Sequence, residues 1–89
     1  MATAYQMHDD GTTEEVKFEK SGLSDDGVYC IVDDSSKSIF LWKGRNADVR
    51  SKFVGARAAS QIRSQHGNGY RVHPIDAGEE PSDFWDSFD

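Results

Sequence analysis

Apolar and polar residues change their spacing several times along the 89-residue chain, and each change marks an element. Residues 3–8 and 14–18 read as two short extended segments around the turn formers Asp9, Asp10 and Gly11. In the second segment Val16 and Phe18 alternate with Glu15 and Lys17, the period of a half-buried strand. Ser24, Asp25, Asp26 and Gly27 form a second turn cluster. The run Val28, Tyr29, Cys30, Ile31, Val32 is apolar throughout and rich in β-branched residues, as a central strand covered on both faces requires. Asp33, Asp34, Ser35 and Ser36 turn the chain, and Ile39, Phe40, Leu41 and Trp42 should return beside the central strand as a hairpin.

After Gly44 the period becomes helical. Asn46 or Asp48 can cap a helix running to about Gln65, and Gly67 fits a left-handed cap at its end. At about 100° per residue, Gly55, Ala58, Ala59 and Ile62 share one side, with small residues that let the backbone lie close to a sheet. Phe53, Arg57, Ser60, Gln61 and Ser64 fall on the other side, with Val54 at the border. Spacing leaves two readings of Phe53 open. It packs at the helix start or stays exposed as one of the apolar residues every surface carries, or it belongs to a binding face beside Arg and Gln. Residues 70–75 read as a late strand, and Pro81 suits a first helical turn. Phe84, Trp85 and Phe88 would share one side of a short closing helix. Covering both faces of the central strand calls for a helix on each side of the sheet, an α+β arrangement.

The length fits one domain with a modest core. Ten Lys and Arg against sixteen Asp and Glu give a net charge of −6, which argues against general binding to nucleic acid or an anionic membrane. Lys43, Arg45, Arg50, Lys52 and Arg57 still make a local basic patch around the helix start. Cys30 is the single cysteine, suits a buried apolar position, and fits a reducing compartment. No stretch is long enough to span a bilayer, and the first residues lack a signal peptide's regions, so a cytoplasmic location is expected. Met1 and a helix at the end fit a complete small protein.

His8, His66, His73 and Cys30 have no zinc-ligand spacing, and no nucleophile–base grouping or phosphate-cradling glycine loop is visible. Glu79 and Glu80 beside Pro81 are expected to favour the positive end of the closing helix. No feature calls for an enzyme.

Several segments, in order, resemble the gelsolin-homology domain of the gelsolin, villin and severin family. These are "LSDDGVYCIVDD", "SIFLWKG" with Trp42 and Gly44, "NADVRSKFVGARAASQI", and "YRVHPIDAGEEPSDFWDSF". "TAYQMHDDGTTEEVKF" fits the family's opening hairpin, so the likeness covers nearly the whole chain. It implies a five-stranded mixed sheet sandwiched between one long and one short helix, in a single domain over residues 1–89. It also implies actin as partner, cytoskeletal association, and a long helix whose actin-facing side would be Phe53, Val54, Arg57, Ser60, Gln61 and Ser64. One such domain can cap or sequester a monomer or bind a filament side; severing generally uses linked domains. Phosphoinositide headgroups are a further partner class in the family, to which the basic patch would answer.

Calcium is where this chain departs from the resemblance. The family's main site takes a glycine carbonyl and an adjacent aspartate at the head of the central strand, and a helix glutamate nine positions after the strand tryptophan. Here that helix position is Ser51, and the strand head reads Asp26, Gly27, Val28. Asp25, Asp26 and the Gly27 carbonyl remain as calcium candidates, short of the six to eight oxygens the ion takes. Arg63 stands where one family member offers an aspartate to an ion shared with actin.

Overall fold

The computed structural model describes residues 2–8, 10–16, 23–67 and 69–86; the expectations for Asp9, Lys17, Phe18 and Phe88 lie outside them. The elements run β1 (Ala2–Met7), β2 (Thr13–Val16), β3 (Val28–Asp33), β4 (Ser38–Lys43), α1 (Val49–His66), β5 (Arg71–Asp76) and α2 (Ser82–Asp86). The strands form one sheet in the order β2-β1-β3-β4-β5. The first three pairings are antiparallel, and β4 with β5 is parallel, so the sheet is mixed. A parallel pair needs a long crossover, and α1 supplies it.

Every residue of β3 is buried, as its unbroken apolar run predicts. Val28, Cys30 and Val32 face α1 with Ile39, Leu41, Met7 and Ala59. Tyr29 and Ile31 face the other way, with Ala4, Phe40, Trp42, Ile75 and Phe84. The register sets Cys30 opposite Leu41 and Ile31 opposite Phe40. A slip of one residue would send each set to the wrong layer, so two buried faces specify the pairing strongly.

Asp48 caps α1, its Oδ1 accepting the Ser51 N–H at 2.7 Å. Gly55 and Ala59 are buried on the sheet side, while Ala58 and Ile62 flank them half-buried. A Cβ on Gly55 would lie 2.7 Å from Val28 Cγ1, so the close approach of helix to sheet requires glycine there. Gly67 ends the helix by donating its N–H to the Arg63 carbonyl at 3.0 Å. Its φ of 110° is positive as expected, but its ψ of −179° is extended rather than left-handed helical. The Tyr70 N–H then bonds the Gly67 carbonyl at 3.4 Å, just before β5 begins.

On the opposite face, α2 is a single described turn. Pro81 precedes it, one position earlier than expected, and its carbonyl accepts the Phe84 N–H at 3.1 Å. Phe84 is fully buried and meets Phe40 edge-on, with ring centres 5.5 Å apart. Glu80 corrects another expectation. Its carboxylate turns back to the sheet, accepting Trp42 Nε1–H at 2.8 Å and the Gly78 N–H at 3.1 Å, instead of facing the start of α2.

Candidate partner-binding face

The buried flank of α1 fixes what its other flank shows to solvent. Phe53 is 65% exposed, which excludes packing at the helix start, and Val49 is 83% exposed one turn earlier. Arg57 follows at the next turn, then Ser60, Gln61 and Ser64, all exposed. Steps of three and four residues put them in one stripe along the helix. Arg57 has no ion-pair partner among the described residues. Ser64 is less available than the stripe implies, because its hydroxyl donates to the Ser60 carbonyl at 3.1 Å. Val54 is half-buried and, with Arg57 and Gln61, borders a groove of about 250 Å³ that Gly11 and Thr13 close on the far side. Val49 was not among the residues expected on this face. Its spacing of four from Phe53 was the available signal, obscured by its place at the helix start.

The basic patch is divided. Lys43 Nζ lies 3.5 Å from Asp76 Oδ1, and Arg45 donates from Nε to the Ala77 carbonyl at 3.5 Å. Arg50 and Arg57 are exposed on α1.

Asp25, Asp26 and Gly27 form the turn into β3, with both aspartates exposed. The Gly27 N–H bonds the Ser24 carbonyl at 3.0 Å, and the Asp26 N–H bonds Ser24 Oγ at 3.2 Å. Their carbonyls already have partners: Gly44 donates to Gly27 at 2.9 Å, and Asn46 donates to Asp25 at 2.8 Å. Ser51, at the position of the family's helix glutamate, is buried and brings no carboxylate. Among the described residues no three His, Cys, Asp or Glu side chains gather as metal ligands. Each of these carbonyls keeps a second lone pair, but two carboxylates and two carbonyls fall short of the six to eight oxygens calcium takes. Arg63 donates from Nε to the Tyr70 carbonyl at 2.9 Å, holding the end of α1 to the entry of β5.

Asp33 and Asp34 do separate work at the other end of β3. The Asp33 carboxylate accepts from the Ser35 N–H, the Ser35 hydroxyl and the Ser36 hydroxyl. Burial pushes its carboxyl up, but the serine hydrogen bonds outweigh that and leave it below the ordinary value. Asp34 accepts the Tyr70 hydroxyl at 2.6 Å, and this bond raises the phenol above its usual range. The histidines lie on separate elements, His8 beside Glu14, His66 against Tyr70 and His73 against Phe40.

Comparison with known proteins places this geometry. Residues 12–85 match the gelsolin repeat model. Bovine (Bos taurus) supervillin is 30% identical over 86 residues, covering 88% of this chain and 4% of that protein. Protovillin of Dictyostelium discoideum is 30% identical over 69 residues, covering 78% of this chain and 7% of that protein. The chain therefore spans a small part of either relative. Among solved structures, the Thorarchaeota ProGel protein in complex with rabbit actin superposes with a TM-score of 0.93 at 30% identity, over 100% of both chains. The Thorarchaeota 2DGel3 protein, also in complex with rabbit actin, gives 0.88 at 28% identity, over 99% of this chain and 45% of that one. A five-stranded mixed sheet crossed by one long helix, with residues 12–85 matching the repeat model, makes this chain a member of the gelsolin repeat family.

Proposed function

We propose that this chain binds actin through the outward stripe of α1. Val49 and Phe53 are the apolar anchor, and Val54, Arg57, Ser60, Gln61 and Ser64 continue the contact. The observation that carries the reading is the pair of exposed apolar side chains, Val49 and Phe53, on a helix whose other flank is locked to the sheet. Burying them would gain about 25 cal/mol per Å² of apolar surface, before the costs of association. Arg57, without an ion-pair partner among the described residues, can meet a carboxylate on the partner. The two solved relatives, both in complexes with actin and alike over essentially all of this chain, support the choice of partner.

In this reading residues 1–89 act as one unit, with α2 covering the face of the sheet opposite α1. The protein regulates filament assembly in the cytoplasm by binding monomers, capping ends or coating filament sides. It needs no ion at the turn of Asp25, Asp26 and Gly27, so binding is the same in calcium and in EGTA.

Pyrene-actin polymerisation and co-sedimentation test the face. The double variant Phe53→Ala with Arg57→Glu should lose its effect on polymerisation while keeping the wild-type circular dichroism spectrum. A folded double variant that still alters polymerisation like wild type would remove α1 as the contact. Salt-sensitive binding of the wild type to phosphoinositide vesicles, without any effect on actin, would replace the reading with a lipid-binding regulator.

A further inference from the structure

Helix α1 packs over β1, β3, β4 and β5, and β2 extends the sheet beyond its flank. The register fixes what β2 shows on that side. Thr13 is opposite Met7 and Glu15 opposite Tyr5, and both Tyr5 and Met7 pack beneath α1. Paired residues share a face, so Thr13 and Glu15 also point to the α1 side. The space between them and the helix is a groove in two joined parts. One, about 250 Å³, lies between Gly11 and Thr13 on the hairpin and Val54 and Arg57 on the helix. The other, about 240 Å³, continues past Thr13 and Gln61 to Tyr5 and His66.

The hairpin wall is pre-organised. The Asp10 carboxylate accepts both the Thr12 N–H at 2.9 Å and the Thr12 hydroxyl at 2.6 Å. From Val54 to His66 the helix rises about 18 Å, room for roughly five residues of extended chain. Thr13, Gln61 and Gln65 offer donors and acceptors of the kind a peptide backbone needs. Charge gives the groove a direction. The cation Arg57 stands at the Gly11 end, and Glu15 stands at the Tyr5 end, on a chain of net charge −6.

We infer that this groove takes an extended segment of the actin partner, running beside α1 with an acidic side chain at the Arg57 end. The inference rests on the actin reading above and adds the β1–β2 hairpin to the contact. Thr13→Trp tests it, because the new side chain fills the groove from an exposed strand position that favours aromatics and lies off the α1 stripe. Affinity for monomeric actin should fall at least about tenfold. In the wild type, amide hydrogen exchange over residues 10–16 should slow when actin binds, a measurement that does not depend on how the variant folds. Wild-type affinity in a folded Thr13→Trp, or protection confined to α1, overturns the groove. If Phe53→Ala alone leaves affinity unchanged while Thr13→Trp lowers it, the groove stands and the apolar anchor of the stripe falls. No binding of actin by the wild type removes both.

Discussion

Trp42 and Glu80, separated by 38 positions, are joined by a 2.8 Å hydrogen bond from the indole Nε1–H to Oε2. The other carboxylate oxygen takes the Gly78 N–H, so one side chain ties β4 to the loop that leads into α2. Trp42 is 4% exposed, and its N–H has little access to water as a substitute partner. Removing the acceptor leaves a buried donor unpaired, at a cost of about 1–3 kcal/mol. Glu80→Ala should lose stability of that order in urea unfolding, and Glu80→Gln, which keeps an acceptor, should lose less.

The same contact gives a pH dependence. Burial pushes the Glu80 carboxyl up, but the Trp42 and Gly78 hydrogen bonds and the nearby Arg45 charge outweigh it, so the folded value lies below the ordinary one. A depressed carboxylate contributes stability above its unfolded pKa, about 4.3, and loses it as pH falls through the folded value. Melting temperature should therefore fall more steeply in wild type than in Glu80→Gln as pH drops below about 5. Parallel acid slopes in the two proteins would show that this carboxylate does not carry the effect.

Residues 28–32 announced a strand buried on both faces because no polar side chain interrupts them, and the α1 flank of Gly55 and Ala59 was equally plain from helical spacing. The Glu80 contact was not legible. It pairs residues from distant segments, and local helix-dipole logic pointed the carboxylate elsewhere. The exposure of Phe53 was undecided for a related reason. A side chain in the first turns of a helix is covered or not by whatever the preceding loop does, and no periodicity encodes that. The carbonyls beside the strand-head aspartates accept hydrogen bonds from Gly44 and Asn46, pairings between separate segments that local sequence does not display.

Gly44 explains why the strand tryptophan is followed two residues later by glycine. A Cβ there would collide with the Asp25 carbonyl and come within 2.8 Å of the Gly27 oxygen, both backbone atoms that cannot swing away. Gly44→Ala should destabilise the fold by about 3 kcal/mol, the upper range for overpacking. Gly11→Ala is the contrast: its added methyl meets nothing within 4 Å, leaving only the strain of its φ of 93°. Chemical denaturation of the two variants should rank them in that order.

Cys30 offers a probe of opening. It is fully buried in β3, and burial pushes its thiol up to about 12. The thiolate is the reactive form, so the folded chain should resist iodoacetamide at neutral pH. Labelling should speed up in urea along the unfolding transition. Fast labelling under native conditions would mean that the central strand opens locally.

Phe53 and Phe84 should respond oppositely to truncation. Phe84 is fully buried against Phe40, and Phe84→Ala should cost about 3–5 kcal/mol of stability. Phe53 is 65% exposed, so little core contact is lost on truncation, and alanine is the better helix former. Phe53→Ala should stay within about 0.5 kcal/mol of wild type in urea unfolding. Yet it should weaken actin binding at least about tenfold if Phe53 is an anchor of the contact. A stable, folded Phe53→Ala with unchanged actin affinity would make this side chain an ordinary exposed apolar residue, and the anchor would have to lie elsewhere on the helix.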